Sequence, residues 1–170
     1  TGVLAVVLAL RDIQKIIATD LNDRAIECTQ DNVDHLGLKA QIEIRKTNLF
    51  PEGKATLIVC NPPWLLARPS SSLEHAVYDP ESQMLKGFLH GLKNHLLPKG
   101  EGWLILSDLA EHLGLRSREE LLDWIEKAGL KVVARLDTKP THQKVFDKAD
   151  ALHAARSQEV TSLWRLTLKL

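Results

Sequence analysis

A short β-branched run that stops at two consecutive prolines is the sequence feature that most constrains the fold. Residues 56–60 read TLIVC and are followed by Asn61-Pro62-Pro63-Trp64. Because proline fixes its own backbone and donates no ladder hydrogen bond, the run predicts a buried strand that opens onto a rigid loop. Ligands of α/β sheets bind at this end of a strand. We therefore expect the tetrapeptide to present an amide and an aromatic ring to a flat polar group.

The rest of the chain alternates between the two hydrophobic periods. Helical spacing predicts helices over 2–10, 23–36, 82–97 and 116–128. The first is apolar all round, which is typical of a short helix buried against a sheet, and the last has Leu121, Leu122 and Ile125 inward. Strands are predicted over 15–20, 41–45, 56–60, 103–107, 131–136 and 162–168. The last two strands have no convincing helix between them. This order predicts a three-layer αβα sandwich with a mostly parallel, Rossmann-like sheet and an antiparallel C-terminal edge hairpin.

Composition limits the partners and the compartment. The 170 residues suffice for one domain with a real core, and 22 basic against 22 acidic residues give no overall pull toward nucleic acid or membrane. Cys28 and Cys60 lie far apart, which favours reduced, buried thiols in a cytoplasmic protein. No apolar run is long enough to span a bilayer. The seven histidines show no metal-ligand spacing, so no metal is expected.

The tetrapeptide resembles the Asn/Asp-Pro-Pro-aromatic motif of S-adenosylmethionine-dependent amino-methyltransferases. The resemblance implies a class I methyltransferase with S-adenosylmethionine as cofactor. It assigns Asn61, Pro62, Pro63 and Trp64 to catalysis, and Asn61 also to the cofactor. The Asn61 side-chain oxygen and the Pro62 carbonyl would accept the N–H groups of a planar nitrogen, while Trp64 would stack on the acceptor. A rigid turn at a strand end is the structural alternative.

The same resemblance assigns cofactor contacts at the end of the first strand. Asp20 corresponds to the acidic residue that accepts the ribose hydroxyls, and Leu21 and Asn22 would flank the adenosine. Asp20 could instead be a helix cap or a solvated charge. Asn22 also precedes a helical pattern and is predicted to cap it.

Two further stretches complete the predicted cofactor set. Asn48 lies with Leu49 where the family commonly has an acid that bonds the adenine amine, although a turn-forming asparagine is equally expected. Thr1-Gly2 resembles the tail of the glycine-rich loop, whose backbone approaches the cofactor closely. The preceding strand and most of that loop are absent from the sequence, so upstream residues are expected in the intact protein.

Residues 74–81 resemble the segment that covers the acceptor in relatives with this motif. His75 and Tyr78 are candidate substrate contacts there, although solvated loop residues are the more ordinary interpretation.

These observations predict that residues 1–170 form one methyltransferase catalytic domain that transfers a methyl group to a planar nitrogen. The acceptor would be a protein glutamine amide or a nucleobase amine of ribosomal or transfer RNA, as the resemblance to release-factor glutamine and small-domain ribosomal RNA methyltransferases implies. Partners would belong to the translation machinery, with no membrane. The protein would be a monomer or carry an additional N-terminal substrate domain. The alternative is a noncatalytic binding module that retains the methyltransferase fold.

Overall fold

A computed structural model describes residues 1–64, 79–141 and 152–169. These residues form two compact units, Thr1–Gly53 and Lys54–Leu170, which we call the N-terminal and C-terminal units. Each unit is described by itself. Residues 65–78, which include the predicted substrate contacts His75 and Tyr78, lie outside the described part of the chain.

The N-terminal unit contains two helices and two parallel strands. Its elements, in chain order, are α1 (Val3–Ala9), β1 (Ile16–Asp20), α2 (Asp23–His35) and β2 (Ile42–Lys46). Strand β1 pairs with β2 from Ile16 opposite Ile42 to Asp20 opposite Lys46. As in all parallel ladders, the carboxyl ends of the two strands therefore lie at the same edge.

Helix α1 forms where a helix was predicted and packs into the core of the unit, but only part of its surface is buried. Ala5 and Ala9 join the core of the unit with Ile16, Val33 and Ile42. By contrast, Val3 is 61% and Leu10 is 69% exposed. The two alanines lie one turn apart and form one narrow face of the helix. Val6 and Leu8 also pack against this core, so an all-apolar sequence does not reveal which residues of the helix are buried and which are exposed.

Local sequence rules do determine the ends of α2. The Asn22 side chain accepts hydrogen bonds from the backbone N–H groups of Arg24 (3.0 Å) and Ala25 (3.2 Å), which confirms the predicted cap. The helix ends at His35, and Gly37 follows with φ +68°. That left-handed conformation is the reason for a glycine after the helix.

The C-terminal unit is built on a four-stranded mixed sheet. Its elements are β3 (Ala55–Cys60), a 3₁₀ helix (Pro80–Ser82), α3 (Gln83–His95), β4 (Leu96–Ser107), α4 (Leu109–His112), α5 (Arg118–Lys127), β5 (Leu130–Thr138), α6 (His153–Arg156) and β6 (Thr161–Leu168). The strand order is β3-β4-β6-β5. Strands β3 and β4 are parallel, whereas β6 is antiparallel to both β4 and β5.

The α/β class is confirmed, with two refinements. The predicted antiparallel pair of the last two strands is present, but β6 inserts between β4 and β5, so that β5 is the outer strand. Among the described strands, parallel and antiparallel pairings are equally frequent rather than mostly parallel. The short helices α4 and α6 were not predicted because four residues leave no periodic pattern to detect.

Strand β4 begins at Leu96, well before the predicted start at Trp103. Helix α3 already ends at His95, two residues before the predicted helix end at 97, and residues 98–100 form an irregular insertion within β4, where the β3 register shifts between Ala55 and Leu57. Lys99 has φ +66° there. A Cβ at Gly100 would lie 2.9 Å from the Leu97 carbonyl oxygen, so only glycine allows this close backbone approach.

Helices α3 and α5 lie side by side in this unit. Lys86 of α3 lies 4.4 Å from the ring centroid of Trp124 on α5. Helix α5 begins with a capping box between Ser117 and Glu120. Leu121 and Ile125 are buried as predicted, whereas Leu122 is 44% exposed, so its predicted inward position is wrong. Positions 121 and 125 define one face of the helix, and 122 lies about 100° away from it.

Gly102 offers a test of how tightly α3 packs on β4. A Cβ at this position would lie 2.5 Å from Cδ1 of Leu92, a fully buried side chain. We expect Gly102→Ala to lower the free energy of unfolding by about 1–3 kcal/mol through overpacking. Urea unfolding followed by tryptophan fluorescence measures it, because all four tryptophans lie in the C-terminal unit.

A companion variant makes this prediction specific. Leu92→Val shortens the opposing side chain, so the double variant should regain part of the stability that Gly102→Ala loses. Strict additivity of the two losses would show that the Leu92 contact is not the cause.

Candidate active site

The Asn61-Pro62-Pro63-Trp64 turn directly follows the last residue of β3, as predicted. Pro62 is fully buried, Pro63 and Trp64 are half-buried, and Asn61 is exposed. The Trp64 indole Nε1 donates a hydrogen bond of 3.0 Å to Oδ1 of Asn61. The turn therefore anchors one proline in the protein interior and presents an amide and an indole together at the surface.

The interior beneath this turn is apolar and chemically unreactive. Cys60 is buried, and burial, together with the nearby Asp79 carboxylate, raises the pKa of its thiol to about 12. Asp79 is itself buried and accepts hydrogen bonds from the backbone N–H groups of Met84 and Leu85 at the start of α3. Cys60 is thus a structural residue, since only a thiolate is nucleophilic.

In the N-terminal unit, the predicted cofactor residues meet at the carboxyl ends of β1 and β2. The Thr47 N–H donates to the Asp20 carbonyl (3.1 Å), and the Thr19 hydroxyl donates to the Leu49 carbonyl (3.0 Å). Asn48, between them, is exposed. Leu49 takes φ +59°, a rare conformation for a branched side chain that the Thr19 hydrogen bond supports. Asp20 and the 48–49 turn therefore share one sheet edge.

The Asp20 side chain is exposed and only partly engaged. Its Oδ1 accepts the Asn22 backbone N–H at 2.9 Å, which orders the turn into α2. Leu21 lies exposed between them. The Asn22 oxygen is occupied by the helix N–H groups, so Asn22 acts as a cap at this edge. The second carboxylate oxygen of Asp20 is placed to accept hydroxyl donors from a ligand.

Gly2 approaches the same region from the start of α1. It has φ +68°, and a Cβ there would lie only 2.4 Å from Cγ2 of Thr29 on α2. The Thr1 carbonyl accepts a hydrogen bond from the Asn32 side chain (2.9 Å). Gly2, Thr19, Asp20 and Thr29 border a cavity of about 50 Å³. We call this small cavity the cradle; the Gly2 backbone and Asp20 both border it.

Three residues that shape these two regions were not singled out from the sequence. Thr19 and Thr29 appear there only as strand and helix residues, and Asp79 only as a loop residue. Asp79 did carry a signal, since Asp-Pro before an apolar helix is typical of a helix start. The Trp64–Asn61 hydrogen bond has no signal in the sequence, because it depends on side-chain rotamers.

The described residues contain neither a membrane-spanning helix nor a cluster of metal-binding side chains. No described helix is long and apolar enough to cross a membrane. Within residues 1–64, 79–141 and 152–169, His, Cys, Asp and Glu side chains form no cluster of three or more able to hold a metal ion.

A mixed sheet flanked by helices is the Rossmann-like architecture that solved methyltransferase structures share. The family comparison makes the assignment more specific. The chain belongs to the UPF0020 family, described as an RMKL-like methyltransferase domain, whose model matches residues 5–112.

Two relatives support the methyltransferase assignment. The chain is 29% identical over 171 residues to a release factor glutamine methyltransferase from Cereibacter sphaeroides, covering 92% of this chain and 56% of that protein. It is 38% identical over 63 residues to a ribosomal protein L11 methyltransferase from Alkaliphilus metalliredigens, covering 36% of this chain and 20% of that protein. The chain thus matches about half, or less, of each relative's length.

Solved structures confirm the predicted αβα fold class. A ribosomal protein L11 methylase from Lactobacillus delbrueckii subsp. bulgaricus aligns with TM-score 0.64 at 17% identity, covering 99% of this chain and 65% of that one. A Streptococcus pneumoniae protein described as a putative tRNA (m1A22) methyltransferase aligns with TM-score 0.60 at 17% identity, covering 99% and 60%. At such identities the likeness shows the fold.

The two cysteines should react very differently with thiol reagents. Cys28 is exposed, which corrects the prediction that both thiols are buried, whereas Cys60 is buried with a raised thiol pKa. We expect iodoacetamide at pH 8 to add one carbamidomethyl group to the folded protein, and two in denaturant. Intact-mass spectrometry measures this, and Cys28→Ser should leave the folded protein unlabelled. Rapid labelling of Cys60 in folded Cys28→Ser would contradict the buried position of β3.

Proposed function

We propose that this protein transfers a methyl group from S-adenosylmethionine to a planar nitrogen, either a protein glutamine amide or a nucleobase amine. Methyl transfer follows from the family, and the nitrogen specificity from the turn after β3. The observation that carries the proposal is the exposed Asn61 amide beside the half-buried Trp64 ring, on a backbone held by the buried Pro62.

The acceptor chemistry explains why this turn suits nitrogen. The nitrogen of an amide or exocyclic amine is a weak nucleophile, because its lone pair is delocalised into the π-system. When the Asn61 oxygen and the Pro62 carbonyl accept its N–H groups, electron density moves back to the nitrogen. The Trp64 ring provides a flat apolar surface for the conjugated plane. These groups bind and orient the acceptor without a titrating base.

The cofactor supplies an activated methyl group on a sulfonium, which leaves positioning as the main task of the protein. We assign its ribose hydroxyls to Asp20, its adenosine to the neighbourhood of Leu21, Asn22, Asn48 and Leu49, and its methionine part to the Thr1-Gly2 backbone. The cradle, a small cavity that Gly2 and Asp20 both border, supports this assignment. Two of the structural relatives are described as complexes with S-adenosylmethionine or S-adenosylhomocysteine.

The acceptor class is the open part of the proposal. The release factor glutamine methyltransferase that matches 92% of this chain favours a protein amide, and the putative tRNA methyltransferase supports a nucleobase. Either acceptor would make the partner a component of the translation machinery. Incubation of the full protein with radiolabelled S-adenosylmethionine, glutamine-bearing release-factor peptides, and unmodified ribosomal and transfer RNAs would distinguish them. Cofactor binding without transfer to any of these would support the noncatalytic module instead.

Removal of the amide should separate transfer from cofactor binding. We expect Asn61→Ala to lower the transfer rate by roughly 100-fold or more, within the range for a lost transition-state donor or acceptor. The dissociation constant for S-adenosylmethionine, measured by calorimetry, should change by only about two- to threefold, because most of the proposed cofactor contacts lie in residues other than Asn61. Asn94→Ala removes an exposed asparagine on α3 as a matched control and should leave both quantities unchanged. Normal turnover by Asn61→Ala would refute the assigned role.

Substitution of Asp20 should instead weaken the binding of S-adenosylmethionine. Asp20→Asn keeps an oxygen to accept the Asn22 N–H but removes the negative charge that receives ribose hydroxyls. We expect the affinity for S-adenosylmethionine to fall by roughly 10-fold or more, as for a lost charged hydrogen bond. Calorimetry measures the change, and Asp31→Asn, on the exposed side of α2, is the control. Unchanged affinity in Asp20→Asn would exclude Asp20 from the cofactor site.

A further inference from the structure

The Trp64 indole makes a specific polar contact in addition to presenting a flat surface. Its Nε1–H donates a 3.0 Å hydrogen bond to Oδ1 of Asn61, within ordinary N–H···O distance. Indole nitrogen is a donor only, so it pairs with the oxygen of the amide and not with its NH₂ group. The contact therefore selects one of the two orientations that an exposed asparagine amide could adopt.

We propose that Trp64 is a positioning residue that, through its indole N–H, holds the Asn61 oxygen in the orientation that accepts the N–H of the methylated nitrogen. This rests on the proposed function. An amide oxygen has two lone pairs, so the bond to Trp64 leaves one for the acceptor. With the oxygen turned away, Asn61 would present N–H donors to a group that itself donates.

The backbone of the turn prepares this contact. Asn61 and Trp64 are separated only by Pro62 and Pro63, whose rings fix their φ angles near −65°. Asn61 itself is restricted to extended conformations because a proline follows it. Pro62 is fully buried. Little conformational freedom is left to lose when the indole meets the amide, so a single hydrogen bond suffices to fix the side chains of both residues.

The same bond links the two acceptor-binding groups geometrically. Because the indole N–H lies in the plane of its ring, the bond to Asn61 restricts how the ring plane can lie relative to the amide oxygen. An acceptor must then offer an N–H edge and a flat π-face at one set separation. Among phenylalanine, tyrosine and tryptophan, only tryptophan has an N–H donor in the ring itself, since phenylalanine has no donor and tyrosine donates from its distal hydroxyl.

Kinetics of two single variants provide the first test. Trp64→Phe keeps a stacking ring and removes the donor, so we expect kcat to fall by about 2- to 10-fold, the range of one neutral hydrogen bond, with KM nearly unchanged. Trp64→Ala also removes the ring and should raise KM in addition. An increase in kcat/KM for Trp64→Phe would show that the indole competes with the acceptor for Oδ1, which would overturn the proposal.

The Asn61→Asp background separates orientation from packing. A carboxylate accepts at both ends, so no particular orientation has to be held. We expect Trp64→Phe to lower kcat in the Asn61 protein but to have little effect when added to Asn61→Asp. An equal loss in both backgrounds would assign the effect to the ring alone and overturn the positioning role.

An NMR measurement tests the hydrogen bond without any turnover. The four tryptophans give four indole N–H signals in a ¹⁵N–¹H spectrum, and Trp64→Phe identifies the one from residue 64. Asn61→Ala should shift that signal upfield and speed its exchange with solvent, whereas Asn94→Ala should not. No change in Asn61→Ala would overturn the proposal. If the unsubstituted protein methylates no acceptor, the proposed function fails with the catalytic role of the bond, and the spectrum still reports the bond itself.

Discussion

Parallel backbone pairing is the constraint on which both candidate sites depend. In a parallel ladder the carboxyl ends of neighbouring strands lie at one edge, where the chain leaves the sheet in loops. The β1–β2 ladder brings Asp20 within hydrogen-bonding reach of the 47–49 turn in the N-terminal unit. In the C-terminal unit, the β3–β4 ladder holds the strand that ends at Cys60, directly before Asn61. In each unit, polar residues at or just after the end of a strand occupy positions that the strand pairing determines.

The parts of the fold that could be predicted are those governed by short-range rules. Asn22 caps α2 because its side chain reaches N–H groups two and three residues away. Gly37 ends the same helix through its left-handed backbone. The prolines stop β3 at Cys60 for reasons that are also local. Such features need no knowledge of what packs against them.

The wrong or incomplete predictions concern the neighbours that a segment meets in the folded chain. Val3 and Leu10 look as apolar as Ala5 and Ala9, and only the packing of α1 decides which pair is buried. Cys28 is a small apolar residue on a helix face that the unit leaves exposed. Strand β4 continues through Pro98 and Gly100 because β3 provides a partner beyond the insertion. Tertiary context overrides local preference in each case.

The two candidate sites differ in how far apart their residues lie in the sequence. This difference explains how much of each site could be predicted from the sequence alone. The acceptor side lies within four consecutive residues, and its hydrogen bond joins positions 61 and 64 across two prolines. The cofactor side combines Gly2, Asp20 and the 48–49 turn, which are up to 47 positions apart and meet only through the β1–β2 ladder and the contact of Gly2 with Thr29. The compact motif therefore indicates nitrogen chemistry from sequence, whereas the cradle emerges only from the folded unit. Because the local bond between Trp64 and Asn61 requires no distant residue, the acceptor specificity proposed here is encoded in the turn itself.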